Sequence, residues 1–153
     1  LLSAIPGIFG AIGMVFVGRS SDRHLERRKH FFFCVALASA GLLVAVFSGG
    51  NLVLALAGLA VMSIGQSANT PIFFAAISEY LPRKSAAGGI ALISSLGNLG
   101  PAVMPVVTAW ITTATGSSDN SMFLAIGLWL LSGVVLLRVM RPAAATRTQF
   151  APA

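Results

Sequence analysis

Charged residues are confined in this chain to a few short stretches that separate long apolar runs. The stretch 18–30 alone carries five of the ten Lys and Arg residues and two of the four acidic residues. A soluble domain has about 25% charged residues spread over its surface, whereas this chain has only 9%. The clustering indicates helices that cross a lipid bilayer, with the charges kept to the connections between them.

Composition argues against several other classes of protein. The chain is 56% hydrophobic and has a mean hydropathy of +0.89. The basic residues that give its net charge of +6 lie between apolar runs rather than along a soluble face, so nucleic acid is not an expected partner. The single cysteine, Cys34, excludes a disulfide framework. Neither metal-ligand spacing nor a Ser/His/Asp or Cys/His arrangement is present, so we expect no metal, no cofactor and no enzymatic activity.

Five apolar runs are long enough to cross a bilayer, for which a helix needs about 20 residues. They extend over about residues 1–17, 31–48, 52–80, 86–115 and 122–140. A soluble helical protein would not require five nearly charge-free runs of this length. We therefore predict an all-α membrane protein whose transmembrane bundle occupies residues 1–141, followed by a short disordered tail over residues 142–153.

The basic residues also predict the orientation of these helices. All ten lie in the stretch 18–30, in the stretch 81–85, or at the C-terminal end, whereas the connections 49–51 and 116–121 contain none. Because basic connections face the cytoplasm, we expect a multi-pass protein of a bacterial inner (plasma) membrane with a cytoplasmic C-terminus. The chain starts inside an apolar run without Met, so we expect a fragment of a longer protein whose missing part is N-terminal.

Polar side chains recur on one face of the third run. In a bilayer such side chains are costly and face the interior of the bundle. The spacing i, i+3, i+4, i+7, i+8 places these residues on one helical face: Gln66, Asn69, Thr70, Phe73 and Phe74. Pro71 lacks an N–H and frees a carbonyl one turn earlier. The stripe is consistent with a substrate-binding surface or with hydrogen bonds between neighbouring helices.

A second polar face lies on the fourth run. Ser94 and Asn98 are four residues apart and share a face, and Gly97 and Gly100 beside Asn98 allow close approach to the backbone. We expect Asn98 and Ser94 to face a central cavity and contact substrate, the alternative being a helix–helix hydrogen bond. The glycine-rich segment fits neither the GxGxxG nor the P-loop pattern, which excludes a nucleotide loop.

The charged stretch resembles a known signature. Gly18-x-x-x-Asp22-Arg23-x-x-x-Arg27-Arg28 is similar to the charged loop of the major facilitator superfamily, which lies between helices 2 and 3 and again between helices 8 and 9. Leu25 stands where that signature has Gly. One predicted helix before the stretch and four after it correspond to helices 8–12 of twelve. The resemblance implies five helices forming most of one six-helix bundle.

We interpret these five signature residues as a gating loop. A carboxylate at the membrane surface can pair with Arg side chains or with a helix N-terminus, and would thereby hold the cytoplasmic helix ends together in one conformation. The alternative is a plain orientation signal, for which only the basic residues matter.

Two further segments are similar to the anion:cation symporter branch of this superfamily. They are the motif Pro71-Ile72-Phe73-Phe74 and the stretch 86–100, in which Ser94 stands where the branch often has Asn and matches a substrate-contacting position of some members. The resemblance implies a secondary active symporter for a small organic anion, either a hydroxy acid such as tartrate or galactonate or an aromatic carboxylate such as phthalate. It also implies proton coupling and alternating access.

No Arg or Lys lies in the middle of an apolar run, although an anion site needs a cation or helix N-termini to offset desolvation. We therefore expect the main cationic ligand and the coupling carboxylate in a missing N-terminal half of the same transporter. That half would be a partner of this chain, together with the lipid bilayer. The alternatives are a truncated or non-transporting membrane scaffold and a major facilitator transporter for another solute.

Overall fold

The computed structural model of the chain describes residues 4–24, 27–82 and 85–139. These ranges form six helices: α1 Ala4–His24, α2 Arg27–Val46, α3 Leu52–Tyr80, α4 Ala86–Gly97, α5 Leu99–Thr115 and α6 Asp119–Val139. Five segments are long and apolar enough to cross a membrane, with α4 and α5 together making one of them. The described residues contain no strand, and the predicted all-α membrane architecture is confirmed. The tail lies outside the described residues.

Helix extends farther into the charged stretch than the sequence indicated. The stretch 18–30 was predicted as a loop, but α1 continues to His24 and α2 begins at Arg27. Arg and Lys are good helix formers, so a helix can continue beyond the last apolar residue. Residues 25 and 26 lie outside the described residues, as do the side chains of residues 22–24.

The fourth apolar run is divided at Asn98 into α4 and α5. Pro101 has no N–H to donate to the carbonyl of Gly97, which interrupts the helical ladder one turn before the proline. The Asn98 N–H still donates to the Ser94 carbonyl at 3.0 Å, and the Ala102 N–H to the Asn98 carbonyl at 3.3 Å. The interruption is therefore a single residue rather than a loop.

The core of the bundle lies where α2 packs against α3 and α6, while α1 packs against α3. Its buried residues come from α2 and α3: Phe31, Cys34, Val35, Ala68 and Ile72. By contrast, neither α4 nor α5 contains a buried residue. In this chain α4 and α5 are thus held by few contacts, and one of their sides is open.

Glycines set the closest approach between helices α2 and α3. A Cβ built on Gly41 would lie 2.6 Å from the carbonyl oxygen of Gly58, and one built on Gly58 would lie 2.7 Å from the backbone N of Ala45. In a bilayer, helix association depends on such close packing of small residues because the lipid tails are as apolar as the side chains.

The turn between α2 and α3 combines two left-handed glycines with a helix cap. Gly49 and Gly50 have φ of 59° and 86°, which glycine adopts without steric strain. Asn51 Oδ1 then accepts hydrogen bonds from the N–H groups of Val53 at 3.0 Å and Leu54 at 3.2 Å. Two of the N–H groups that α3 leaves unpaired in its first turn are thereby satisfied.

We expect Asn51→Ala to lower the free energy of unfolding by about 1 kcal/mol, because both of these bonds are lost. The measurement is thermal or denaturant unfolding of the full-length protein in detergent. Asn120→Ala is the matched control, since Asn120 is exposed and no hydrogen bond of its side chain to the described residues is seen. Equal effects of the two substitutions would contradict the capping role.

Candidate functional site

A cleft of about 580 Å³ is lined by residues of α2, α3, α4 and α6 and by Asn98. This volume falls within the range of about 300–1,000 Å³ that is typical of small-molecule sites. The lining residues are Phe31, Asn69, Thr70, Phe73, Phe74, Ile93, Ser94, Gly97, Asn98 and Ser132.

The structure brings together the polar stripes of the third and fourth runs. Six of the seven predicted site residues line the cleft: Asn69, Thr70, Phe73, Phe74, Ser94 and Asn98. Gln66 does not line it and is exposed one turn earlier on α3. Asn69 and Ser94 are half-buried, whereas Thr70 and Asn98 are exposed in this chain.

Four lining residues are not among the seven site residues predicted from the sequence: Phe31, Ile93, Gly97 and Ser132. Phe31 on α2 completes an aromatic wall, with its ring centroid 6.0 Å from that of Phe73, which lies 5.6 Å from that of Phe74. Ile93 adds an apolar contact, and Ser132 contributes a hydroxyl from α6. A polar residue within an apolar span was a usable signal for Ser132, but no sequence pattern marked Phe31 as a neighbour of α3.

The polar groups of the cleft have hydrogen-bonding capacity to spare. Asn69 Oδ1 is buried and has no hydrogen-bond partner among the described residues. The Asn98 side chain does not cap α5. By contrast, the hydroxyl of Ser95, the neighbour of Ser94, is already bonded, because it donates to the Ala91 carbonyl of its own helix at 2.9 Å. An unpaired buried amide oxygen costs about 1–3 kcal/mol, so a donor on a bound molecule would be favoured beside Asn69.

The break at Asn98 adds backbone groups to the same place. The C-terminal end of α4 and the N-terminal end of α5 meet there, and Pro101 leaves the Gly97 carbonyl without its helical donor. Gly97 and Asn98 both line the cleft. Interrupted helices beside a cavity present backbone groups and partial helix charges to polar solutes.

Charged side chains are absent from the described lining of the cleft, and no group of His, Cys, Asp or Glu in the described part of the chain could hold a metal ion. The arrangement can therefore hydrogen-bond hydroxyl, carboxylate or amide groups and pack aromatic rings against an apolar body.

A larger apolar cavity adjoins the cleft. Its volume is about 670 Å³, and it lies between α3, α4 and α6. Phe73, Ile93 and Ser132 line both spaces, and the cavity extends to Leu81 and Val139 near the basic ends of their helices. These three residues form a wall common to both spaces, of which the cleft is polar and aromatic and the cavity mostly aliphatic.

The proposed gating residues lie where α1 ends and α2 begins. Gly18, Arg27 and Arg28 are half-buried there, and the Arg28 guanidinium donates to the Leu137 carbonyl of α6 at 3.5 Å. The side chains of Asp22 and Arg23, the other two signature residues, lie outside the described residues.

Comparisons with known proteins agree with this architecture. The model of the Major Facilitator Superfamily matches residues 1–152. A protein of Agrobacterium vitis named "Putative tartrate transporter" is 36% identical over 92% of this chain and 31% of its own length. A quinolone resistance transporter of Acinetobacter baumannii is 40% identical over 88% of this chain and 30% of its own length.

A more distant relative is the inner membrane transport protein RhmT of Escherichia coli, 25% identical over 95% of the chain and 34% of its own length. The chain spans about a third of the length of these relatives. No solved structure is significantly similar to it. Since the family model matches residues 1–152 of the 153, the chain belongs to the Major Facilitator Superfamily.

Proposed function

We propose that this chain forms most of one helical bundle of a secondary transporter that moves a small organic anion together with protons. The observation that carries the proposal is the cleft at the α4–α5 break, where Asn69, Ser94 and Asn98 converge beside three aromatic rings. Membership in the superfamily and the name of the Agrobacterium vitis relative support the same reading.

In this proposal the cleft binds the uncharged parts of the substrate. Asn98 and Ser94 hydrogen-bond its hydroxyl or carboxylate oxygens, and the Phe31 and Phe73 rings pack on its carbon skeleton. Because the described lining holds no cation, the charge of the anion must be balanced elsewhere. We propose that the cationic ligand and the proton-coupling carboxylate come from a part of the transporter that this chain does not contain.

The stretch around Arg27 and Arg28 acts as a gate in the same proposal. Its supporting contact is the hydrogen bond from Arg28 to the Leu137 carbonyl, which joins the beginning of α2 to the end of α6. Alternating access requires such contacts to form in one conformation and to break in the other.

A second candidate function is the export of a larger aromatic compound. The observation that favours it is the apolar cavity of about 670 Å³ that adjoins the cleft, and one relative is named a quinolone resistance transporter. A bulky aromatic solute would fill both spaces, whereas a tartrate-sized anion would fill only the polar end.

The experiment is uptake into proteoliposomes that contain the full-length transporter of which this chain is part. We expect labelled tartrate to accumulate when a pH gradient is imposed and not when a protonophore removes it. A gradient-driven flux of a fluoroquinolone without any flux of tartrate would instead favour the export function. Absence of flux for every solute from a correctly folded protein would favour the non-transporting scaffold.

The orientation in the membrane can be tested with two isosteric substitutions. Ser118 and Ser85 are both exposed and lie at opposite ends of the bundle. We expect a membrane-impermeant thiol reagent, added to intact cells, to label Ser118→Cys and not Ser85→Cys, because basic connections face the cytoplasm. Cys34 is fully buried and gives no background. The reverse labelling pattern would contradict the proposed topology.

A further inference from the structure

The polar cleft and the apolar cavity are separated by a wall of three side chains. Among the described residues, Phe73 of α3, Ile93 of α4 and Ser132 of α6 are the ones that line both spaces. Every other described lining residue belongs to one space or to the other. These three residues, the common wall, therefore bound the cleft on the side toward which an apolar part of a bound solute would extend.

Two members of the common wall leave its closure to the third. The Phe73 ring lies between those of Phe31 and Phe74, with centroid distances of 6.0 and 5.6 Å, and it packs against the buried core. It is thus held in place by the bundle itself. Ser132 carries a small side chain, which contributes little bulk from the side of α6. Most of the adjustable bulk of the wall therefore comes from Ile93.

Ile93 is the bulky residue between two glycines on one face of α4. Gly89 and Gly97 lie four residues before and after it, so the three positions share a face. A Cβ built on Gly89 would lie 2.9 Å from Leu81 Cδ1, and Leu81 lines the apolar cavity. Gly97 lines the cleft instead. The Ile93 side chain thus stands between the part of α4 that borders the cavity and the part that borders the cleft.

The chemistry of isoleucine makes this boundary rigid. A β-branched side chain in a helix has one strongly preferred χ1 rotamer, and Ile93 lies within α4, which extends from Ala86 to Gly97. The side chain therefore cannot swing aside at low cost to admit a larger solute. It is half-buried and α4 contains no buried residue, so its bulk is not part of the hydrophobic core.

We propose that Ile93 is a specificity-determining residue that restricts the cleft to compact carboxylates without an aryl or long alkyl substituent. This inference rests on the proposed transport of a small organic anion, and it favours that function over the export of a larger aromatic compound. With alanine at position 93, the cleft and the cavity would join. An apolar substituent would then enter the cavity and gain the free energy of burial among its aliphatic side chains.

The test compares two labelled solutes in proteoliposomes that contain the full-length transporter. One is tartrate, and the other is mono-O-benzoyl tartrate, which keeps both carboxylates and adds a phenyl ring. The measured quantity is the ratio of kcat/KM for the ester to kcat/KM for tartrate. We expect Ile93→Ala to raise this ratio about tenfold or more, because a pocket discriminates by that factor even for small apolar groups. Ile93→Val, which keeps the β-branch, should raise it less.

The ratio separates specificity from stability, since a loss of folded protein lowers the uptake of both solutes equally. Leu92→Ala is the matched control, because it removes a side chain of equal size from the next position of α4, which is exposed and lines neither space. Val135→Ala enlarges the apolar cavity without touching the cleft. Both variants should keep the ratio of the parent protein.

Normal tartrate uptake in the parent protein and an unchanged ratio in Ile93→Ala would overturn this inference and leave the proposed function standing. A parent protein that takes up the ester as efficiently as tartrate would overturn it as well. If Leu92→Ala raises the ratio as much as Ile93→Ala does, the effect is a general loosening of α4 and the role of Ile93 is refuted. Uptake of neither solute by the folded parent protein would contradict the proposed function, and this inference with it.

Discussion

Gly41→Ala is expected to lower the free energy of unfolding by about 1–3 kcal/mol, the range for overpacked interiors. The added methyl group would meet the backbone N of Met62 and lie 2.6 Å from the Gly58 carbonyl oxygen. These are backbone atoms of α3, so no side-chain rotation can relieve the contact. The helices would have to separate along an interface that close packing holds together. Thermal unfolding of the full-length protein in detergent measures the effect.

Gly127→Ala on α6 is the matched control for this prediction. A Cβ on Gly127 meets nothing within 4 Å, and alanine is the better helix former by about 1 kcal/mol. We therefore expect an unchanged or slightly higher Tm for this variant. An unchanged Tm in Gly41→Ala as well would show that α2 and α3 are not in backbone contact at this point.

Under the proposed function, Asn98→Ala is expected to raise the apparent half-saturation concentration for the organic anion about ten- to hundredfold in the full-length protein. The side chain lines the cleft and caps neither adjoining helix, so its amide is available to substrate. A hydrogen bond to a charged group is worth about 1.5–3 kcal/mol, which corresponds to that change in affinity. The measurement is uptake as a function of anion concentration.

Ser95→Ala is the control for the site, because its hydroxyl bonds to the Ala91 carbonyl within its own helix. We expect its half-saturation concentration to stay unchanged. The competing interpretation makes Asn98 a bond between helices, which in membranes averages about 0.6 kcal/mol. An Asn98→Ala variant with a lower Tm and unchanged affinity would support that interpretation.

The polar faces of the cleft were visible in the sequence because helical periodicity is a local property. Once a segment is helical, the positions of Asn69 and Phe73, or of Ser94 and Asn98, on one face follow from spacing alone. The break at Asn98 follows from a missing N–H at Pro101, which is also a local effect. Gln66 satisfies the same spacing but lies outside the cleft, because periodicity does not tell how far along a helix the neighbouring helices reach.

The sequence by itself determined the class of fold and its family. Within hydrocarbon the backbone N–H and C=O groups must be paired inside the protein, and a helix pairs nearly all of them within one segment. Five long apolar runs therefore predict five transmembrane helices. The charged signature that ends in Arg27 and Arg28 then identified the superfamily that the family model confirms. These conclusions depend on composition and order along the chain, not on which helices touch.

Only the tertiary structure decided which helices are neighbours. Phe31 and Ser132 join the cleft because α2 packs against both α3 and α6. Those pairings depend on where glycines of one helix face the backbone of the next and allow close packing. Lipid tails and apolar side chains are equally hydrophobic, so hydropathy carries no information about helix partners, and shape complementarity between surfaces makes the choice.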